Sequence, residues 1–263
     1  MKAQLIIAAC VIALCCSARA EMFPIVAARN GYLIGATDAG KWIDAKHALE
    51  SIKVGATLPT FDWSGETGKV TITRVENEGE PCPETPFVFT EPERPEHGAI
   101  AFAPKWNPLP RKAQTLDLTQ DVYVDLVRKF LEERKIRNPV VTITQILRVD
   151  LDGDGEDEVL ISATHYERES DTNVSGANTY SFVMLRRVVG GKVKTELVAG
   201  EFYPKAKKSN APNEYEVAAL LDLNGDGKID IVVRSTYYEG DEVEIFETGK
   251  SGVKKVLSVG CGA

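Results

Sequence analysis

Histidine is scarce in this chain of 263 residues, with only His47, His97 and His165, far apart. That removes most routes to zinc binding or acid–base catalysis, which draw on clustered imidazoles and carboxylates. The Gly-x-Ser-x-Gly elbow, the His-Glu-x-x-His pair and the glycine-rich phosphate loop are all missing from the sequence. Past residue 20 no apolar run approaches the ~20 residues that a spanning helix needs. Basic charge is also in deficit, with 31 Lys and Arg against 39 Asp and Glu. An acidic surface argues against nucleic acid or an anionic membrane as partner. The one basic cluster, Lys205, Lys207 and Lys208, reads as a solvated loop.

Cysteine is nearly as sparse, and three of the five (Cys10, Cys15, Cys16) fall in the first 20 residues. That segment has the form of a secretory signal: Lys2, an apolar run from Leu5 to Cys16, then Ser-Ala-Arg-Ala ending at Ala20. Ile7-Ala-Ala-Cys10 faintly resembles a lipoprotein box, but it precedes most of the apolar core. The expectation is export to the periplasm or beyond, with a mature chain from Glu21. Loss of Lys2 and Arg19 makes that chain still more acidic. Cys82 and Cys261 remain, and an even pair in an oxidising compartment predicts a disulfide; two separate thiols are the alternative.

What the chain does have is a pair of acidic, glycine-punctuated loops. Asp150-Leu-Asp-Gly-Asp-Gly-Glu-Asp-Glu158 is matched 72 residues later by Asp222-Leu-Asn-Gly-Asp-Gly-Lys-Ile-Asp230. Calcium takes six to eight oxygens at loose geometry, and alternating acidic side chains on a curled backbone supply them. The expected ligands are Asp150, Asp152, Asp154, the Glu156 carbonyl and Glu158 in the first loop. In the second they are Asp222, Asn224, Asp226, the Lys228 carbonyl and Asp230. Two like charges ~4 Å apart repel by roughly 4 kcal/mol at an effective dielectric of about 20, so such crowding favours a counter-ion. A solvated acidic hairpin without metal is the alternative. An EF-hand is excluded, because its twelfth-position glutamate would fall on Ile161 or Val233. Val159, Ile161 and Ala163, like Ile229, Ile231 and Val233, instead share one parity and predict strands after the loops.

These two windows, roughly 141–168 and 213–240, resemble the calcium loops of FG-GAP/VCBS repeats, the type found in integrin α-subunit propellers and exported bacterial proteins. The resemblance implies calcium held between strands, two ions in all, by the residues just named.

The repeat extends beyond the loops. Thr164, Tyr166 and Glu167 match Thr236, Tyr238 and Glu239 at an offset of 72, and Val193, Lys194 and Leu197 match Val253, Lys254 and Leu257 at 60. The difference is absorbed by a polar insertion over 170–179. Each copy reads as a blade-like meander of four strands, over 139–200 and 211–260. Two copies fall short of the four to eight blades a propeller ring needs, so closure is not expected. Ahead of them Thr119 is placed to cap an amphipathic helix to about Ile136, with Tyr123, Leu126, Val127, Phe130 and Leu131 on one face. The helix should cover the open face of the repeats.

Residues 21–112 read as a separate β-rich domain. Gly31–Gly35 and Lys41–Asp44 form a hairpin about Asp38-Ala-Gly40, Lys69–Val75 alternates, and Phe87–Thr90 and Ala99–Phe102 are shorter strands. The prolines over 81–95 and 104–110 favour loops or sheet edges there. The fold class expected is mainly β, α+β by content, with one helix in the region 113–263.

His165, Tyr166 and Glu167 carry acid–base groups, but neighbouring strand residues point to opposite faces and cannot converge as a triad. Asn173-Val-Ser175 fits a glycosylation sequon by pattern. The reading overall is an exported, non-enzymatic protein in which calcium is mainly structural, the first loop depending on it more than the second. The alternative is a calcium-scaffolded module for an envelope protein or glycan ligand, with Trp42, Trp63 and Trp106 as its surface. An exported hydrolase is a third reading, and would need a histidine beside two carboxylates in a cleft.

Overall fold

The computed structural model describes residues 21–77, 79–166, 176–207, 212–249 and 252–262. Strands hold 54% of the chain and helices 9%, so the class is mainly β. All strand pairs are antiparallel.

In chain order the N-terminal strands are β1 (Phe23–Ala27), β2 (Leu33–Asp38), β3 (Lys41–Asp44), β4 (Thr57–Asp62), β5 (Gly65–Asn77), β6 (Pro86–Glu91) and β7 (Ile100–Ala101), with a short helix α1 (Ala45–Ala48) after β3. They form one sheet in the order β3-β2-β1-β7-β4-β5-β6. The β2–β3 hairpin turns on Ala39 and Gly40, both at positive φ, in keeping with the twist that two-residue hairpins prefer. A lone bridge between Tyr32 and Phe87 draws β6 back towards β2, so the sheet curls around Val26, Leu33, Val70, Ile72 and Val88 without closing. Pro86 sits at the start of an edge strand, as proline requires. β7 differs from expectation: it lies mid-sheet between β1 and β4. Its pairing is only two residues long, so Pro104 falls outside the ladder.

A two-residue strand β8 (Gln114–Thr115) leads to α2 (Asp121–Glu133). Thr119 does not cap α2. Its hydroxyl and N–H are taken by Asp117, and Gln120 holds the N-cap position without a side-chain bond. The helix ends at Glu133, and beyond it Lys135, at φ 68, turns the chain so that Lys135 and Ile136 donate back to the carbonyls of Glu132 and Leu131 in a Schellman arrangement. That stop comes about three residues before the expected one.

The first repeat contains β9 (Ile143–Val149), β10 (Glu158–His165), β11 (Thr179–Val189) and β12 (Lys192–Tyr203). The second contains β13 (Glu214–Leu221), β14 (Asp230–Tyr237), β15 (Gly240–Gly249) and β16 (Gly252–Gly262). Each is a four-stranded meander, the first with β8 added on its β9 edge.

Side-chain parity explains the stacking. In the first repeat Val159, Ile161 and Ala163 pack beneath α2, with Val127, Phe130 and Leu131, while Leu160 points to the second repeat. In the second repeat Ile231 and Val233 meet the first, and Val232 points to the N-terminal sheet among Ile25, Ile34 and Phe102. The two repeats therefore stack in the same orientation, face to back, with α2 closing one end and the curled sheet the other. Gln145 marks this: its amide bonds both backbone groups of Val217, its own counterpart 72 residues on. Capping both ends is what a short repeat array requires, since each open face is apolar. The region up to residue 112 thus shares a core with the second repeat. Cys82 and Cys261 form a disulfide that ties the β5–β6 loop to β16.

Candidate metal centre

Each acidic loop joins the first two strands of its repeat, β9 to β10 and β13 to β14, and the two loops fold alike, bond for bond. In the second, Asp222 accepts the N–H groups of Gly225 (2.7 Å) and Gly227 (3.0 Å). Asn224 accepts from Asp226 N (3.0 Å) and Asp226 from Lys228 N (2.9 Å). Asp230 reaches back to Leu223 N (3.0 Å). In the first loop Asp150 accepts from Gly153 (2.6 Å) and Gly155 (3.1 Å), Asp152 from Asp154, Asp154 from Glu156, and Glu158 from Leu151. These side-chain-to-backbone turns curl nine residues around their own acidic groups. Glu156 and Lys228 take part in the curl through their backbone N–H groups, donated to Asp154 and Asp226.

Within the first loop, ligand atoms of Asp150, Asp152 and Glu158 lie within 4.8 Å of one another. Burial raises the pKa of Glu158, and the neighbouring Asp152, Asp154 and Asp150 raise it further. In the second loop burial pushes Asp230 well above the usual carboxylate range, with Asp226, Glu247 and Asp222 adding to the rise. Asp222 is raised for the same first reason. The donor set is all oxygen, which suits a hard divalent cation and not a soft one. The loops differ in setting: Asp222, Asn224 and Asp230 are only 4%, 5% and 2% exposed, whereas in the first loop only Glu158, at 7%, is comparably covered.

Four residues outside the loops support them, and of these Glu247 and Arg111 carry no sequence signal. Glu247 on β15 accepts from Trp42 Nε1 (2.5 Å) and from the Asn224 amide (3.2 Å), which turns the Asn224 oxygen towards Asp226. Trp106 donates to the Asp222 carbonyl at 2.8 Å and lies flat against Gly225, whose φ of 78° only glycine adopts freely. Arg111 donates to the carbonyls of Asp150 and Leu151 in one loop and Gly227 in the other. Of the three tryptophans that the alternative reading places on a ligand surface, Trp106 is thus bonded to the second loop and Trp42 to Glu247, which supports it.

The remaining candidates sit elsewhere. Trp63 and His97 line a cleft of about 140 Å³ with Asp62, Glu96 and Glu216, and no hydrogen bond among the described residues orients His97. His47 bonds Asp44 on the surface. His165 faces Tyr180 at 6.0 Å, and Tyr166 donates to the Asn213 carbonyl. Glu167, the Asn173–Ser175 sequon and Lys208 lie outside the described residues. Among the described residues no helix is long and apolar enough to cross a membrane.

No protein-family model matches the chain, and neither a curated protein nor a solved structure matches it.

Proposed function

We propose that this is an exported, non-enzymatic protein whose two stacked repeats each hold one calcium ion, and that the ions are mainly structural. The observation that carries the reading is the bond-for-bond identity of the two loops, the first of which brings the carboxylates of Asp150, Asp152 and Glu158 within 4.8 Å of one another. Apposed carboxylates with raised pKa values are destabilising until a cation neutralises them. In the first repeat Asp150, Asp152, Asp154, the Glu156 carbonyl and Glu158 hold the ion. In the second Asp222, Asn224, Asp226, the Lys228 carbonyl and Asp230 do so. Bound calcium joins the β9–β10 and β13–β14 turns to the strands they connect, as the likeness to FG-GAP/VCBS loops implies. The disulfide accords with an oxidising compartment, periplasmic or extracellular.

Thermal unfolding of the mature chain across a calcium titration tests this. The midpoint should climb with calcium and fall back with chelator. Coincident melts in both conditions would remove calcium from the reading.

A second reading, a calcium-scaffolded binding module, is favoured by a groove at the junction of the N-terminal sheet and the second repeat. Clefts of about 560 and 390 Å³ adjoin there, sharing Tyr32, Arg234 and Asp241. The smaller also presents Arg29, Arg94 and Phe87, so that with Arg234 three guanidinium groups stand there against the two carboxylates of Glu96 and Asp241. An envelope glycan or peptide bearing carboxylates fits such a lining. Glycan-array or pull-down binding that Arg94→Ala abolishes would support it.

A further inference from the structure

The connection between the N-terminal sheet and the first repeat, Trp106 to Arg111, lies across both acidic loops. Its Pro108 carbonyl accepts from Asp222 N at 2.9 Å. Trp106 Nε1 donates to the Asp222 carbonyl (2.8 Å), and its ring packs on Gly225. Arg111 then spans the gap: Nη2 donates to Leu151 O at 3.0 Å and to Gly227 O at 2.9 Å, and Nε donates to Asp150 O at 2.5 Å. A direct backbone bond, Ile229 N to Leu151 O at 2.7 Å, runs beside it. The loops are thus joined at residues whose positions the curl of each loop sets. Gly227 is the clearest case, because its N–H is held by Asp222 and its carbonyl by Arg111.

From this arrangement we infer that Arg111 is a positioning residue that couples the two loops, so that closing the first around a cation raises the affinity of the second. The inference rests on the calcium reading above. A planar guanidinium with several donors in fixed directions cannot keep all three carbonyls if one loop uncurls. Cation binding by the first loop fixes the Asp150 and Leu151 carbonyls. They fix the guanidinium, and the guanidinium fixes the Gly227 peptide in the conformation that Asp222 needs. The second loop then closes with less ordering left to do, which is positive cooperativity. By linkage the second loop assists the first by the same factor. The positive charge of Arg111 also lessens carboxylate repulsion while both loops are empty, so it is the fork, not the charge, that must carry the coupling.

Terbium, a hard trivalent stand-in for calcium, separates the two sites because Trp106 lies against the second loop and sensitises an ion bound there. The mature chain is titrated with terbium and with calcium as competitor, in wild type and in Asp152→Asn/Asp154→Asn, which disables the exposed first loop. Disabling the first loop should weaken the second about tenfold, within the usual range of coupling. In Arg111→Met or Arg111→Lys the same disabling change should weaken the second loop much less, the direct Ile229–Leu151 bond carrying what remains. Lysine keeps the charge and loses the fork, and serves if the methionine variant does not fold. Equal weakening in both backgrounds, no weakening in wild type, or wild-type coupling in Arg111→Lys would overturn the inference while leaving two calcium sites standing. Absence of calcium competition at any concentration would overturn the calcium reading itself, and the coupling with it.

Discussion

Glu158→Gln should reverse its effect on stability according to whether calcium is present. Glu158 is 7% exposed and accepts from Leu151 N at 2.8 Å, a bond that glutamine keeps through its carbonyl oxygen. Its ligand oxygen lies within 4.8 Å of those of Asp150 and Asp152. At that separation each pair repels by ~0.9 kcal/mol in a water-like dielectric and ~3.5 kcal/mol at an effective value of about 20. The outer side of the loop is exposed, so the relief from both pairs together falls near ~2–3 kcal/mol. Replacing a charged acceptor with a neutral one gives back ~1 kcal/mol. In chelator at pH 8 the variant should therefore be the more stable protein by ~1–2 kcal/mol, a rise in Tm of ~2–8 °C for a chain of this size. With calcium at a hundredfold excess over Kd, wild type gains ~2.7 kcal/mol that the variant lacks, and the order inverts.

The advantage in chelator must also depend on pH. The pKa of Glu158 is raised from 4.5 in the folded chain, so its protonated form is the one the fold prefers. Its contribution is fully present below that value and is lost as pH rises through the raised one. Wild type and variant should accordingly melt together near pH 4 and diverge as pH climbs. Differential scanning calorimetry at pH 4 to 8, with chelator and with calcium, reads all of this. A variant that melts below wild type in chelator at pH 8, or calcium shifts equal in both proteins, would refute the reasoning.

Other changes probe the frame. Gly225→Ala should cost ~1–2 kcal/mol for its left-handed backbone, and more because its Cβ would meet the Trp106 ring at 3.2 Å; Gly227→Ala, with open space around it, should show the backbone cost alone in urea titration. Cys82→Ser/Cys261→Ser, which opens a closure of 179 residues, should lower stability by up to ~5 kcal/mol on the loop-entropy model, visible as a lower denaturant midpoint. Leu131→Ala, on the buried face of α2, should cost ~2–5 kcal/mol and increase dye binding as the helix loosens from the first repeat.

How much of this was legible beforehand follows from the range of the forces involved. The helix face was readable because Val127, Phe130 and Leu131 recur with the period of one helix. Its cap was not, because Asp117 competes for the Thr119 hydroxyl at a distance of two residues. β7 was misplaced to an edge because its flanking prolines say what cannot pair, not where a two-residue pairing is inserted. The sequence leaves the tryptophans between core packing and a ligand surface, because burial of an indole N–H depends on a partner such as Glu247, 205 residues from Trp42.

What the sequence by itself determined is whatever nine or so neighbouring residues settle among themselves: the curl of each acidic loop, the strand parity that follows, and the repeat at 72 residues. Only the tertiary structure decided that the repeats stack face to back, and that Glu247, Trp106 and Arg111 hold the loops. Turn and strand preferences act through adjacent dihedrals and leave a periodic trace. A guanidinium reaching three carbonyls from 39, 40 and 116 residues away leaves none.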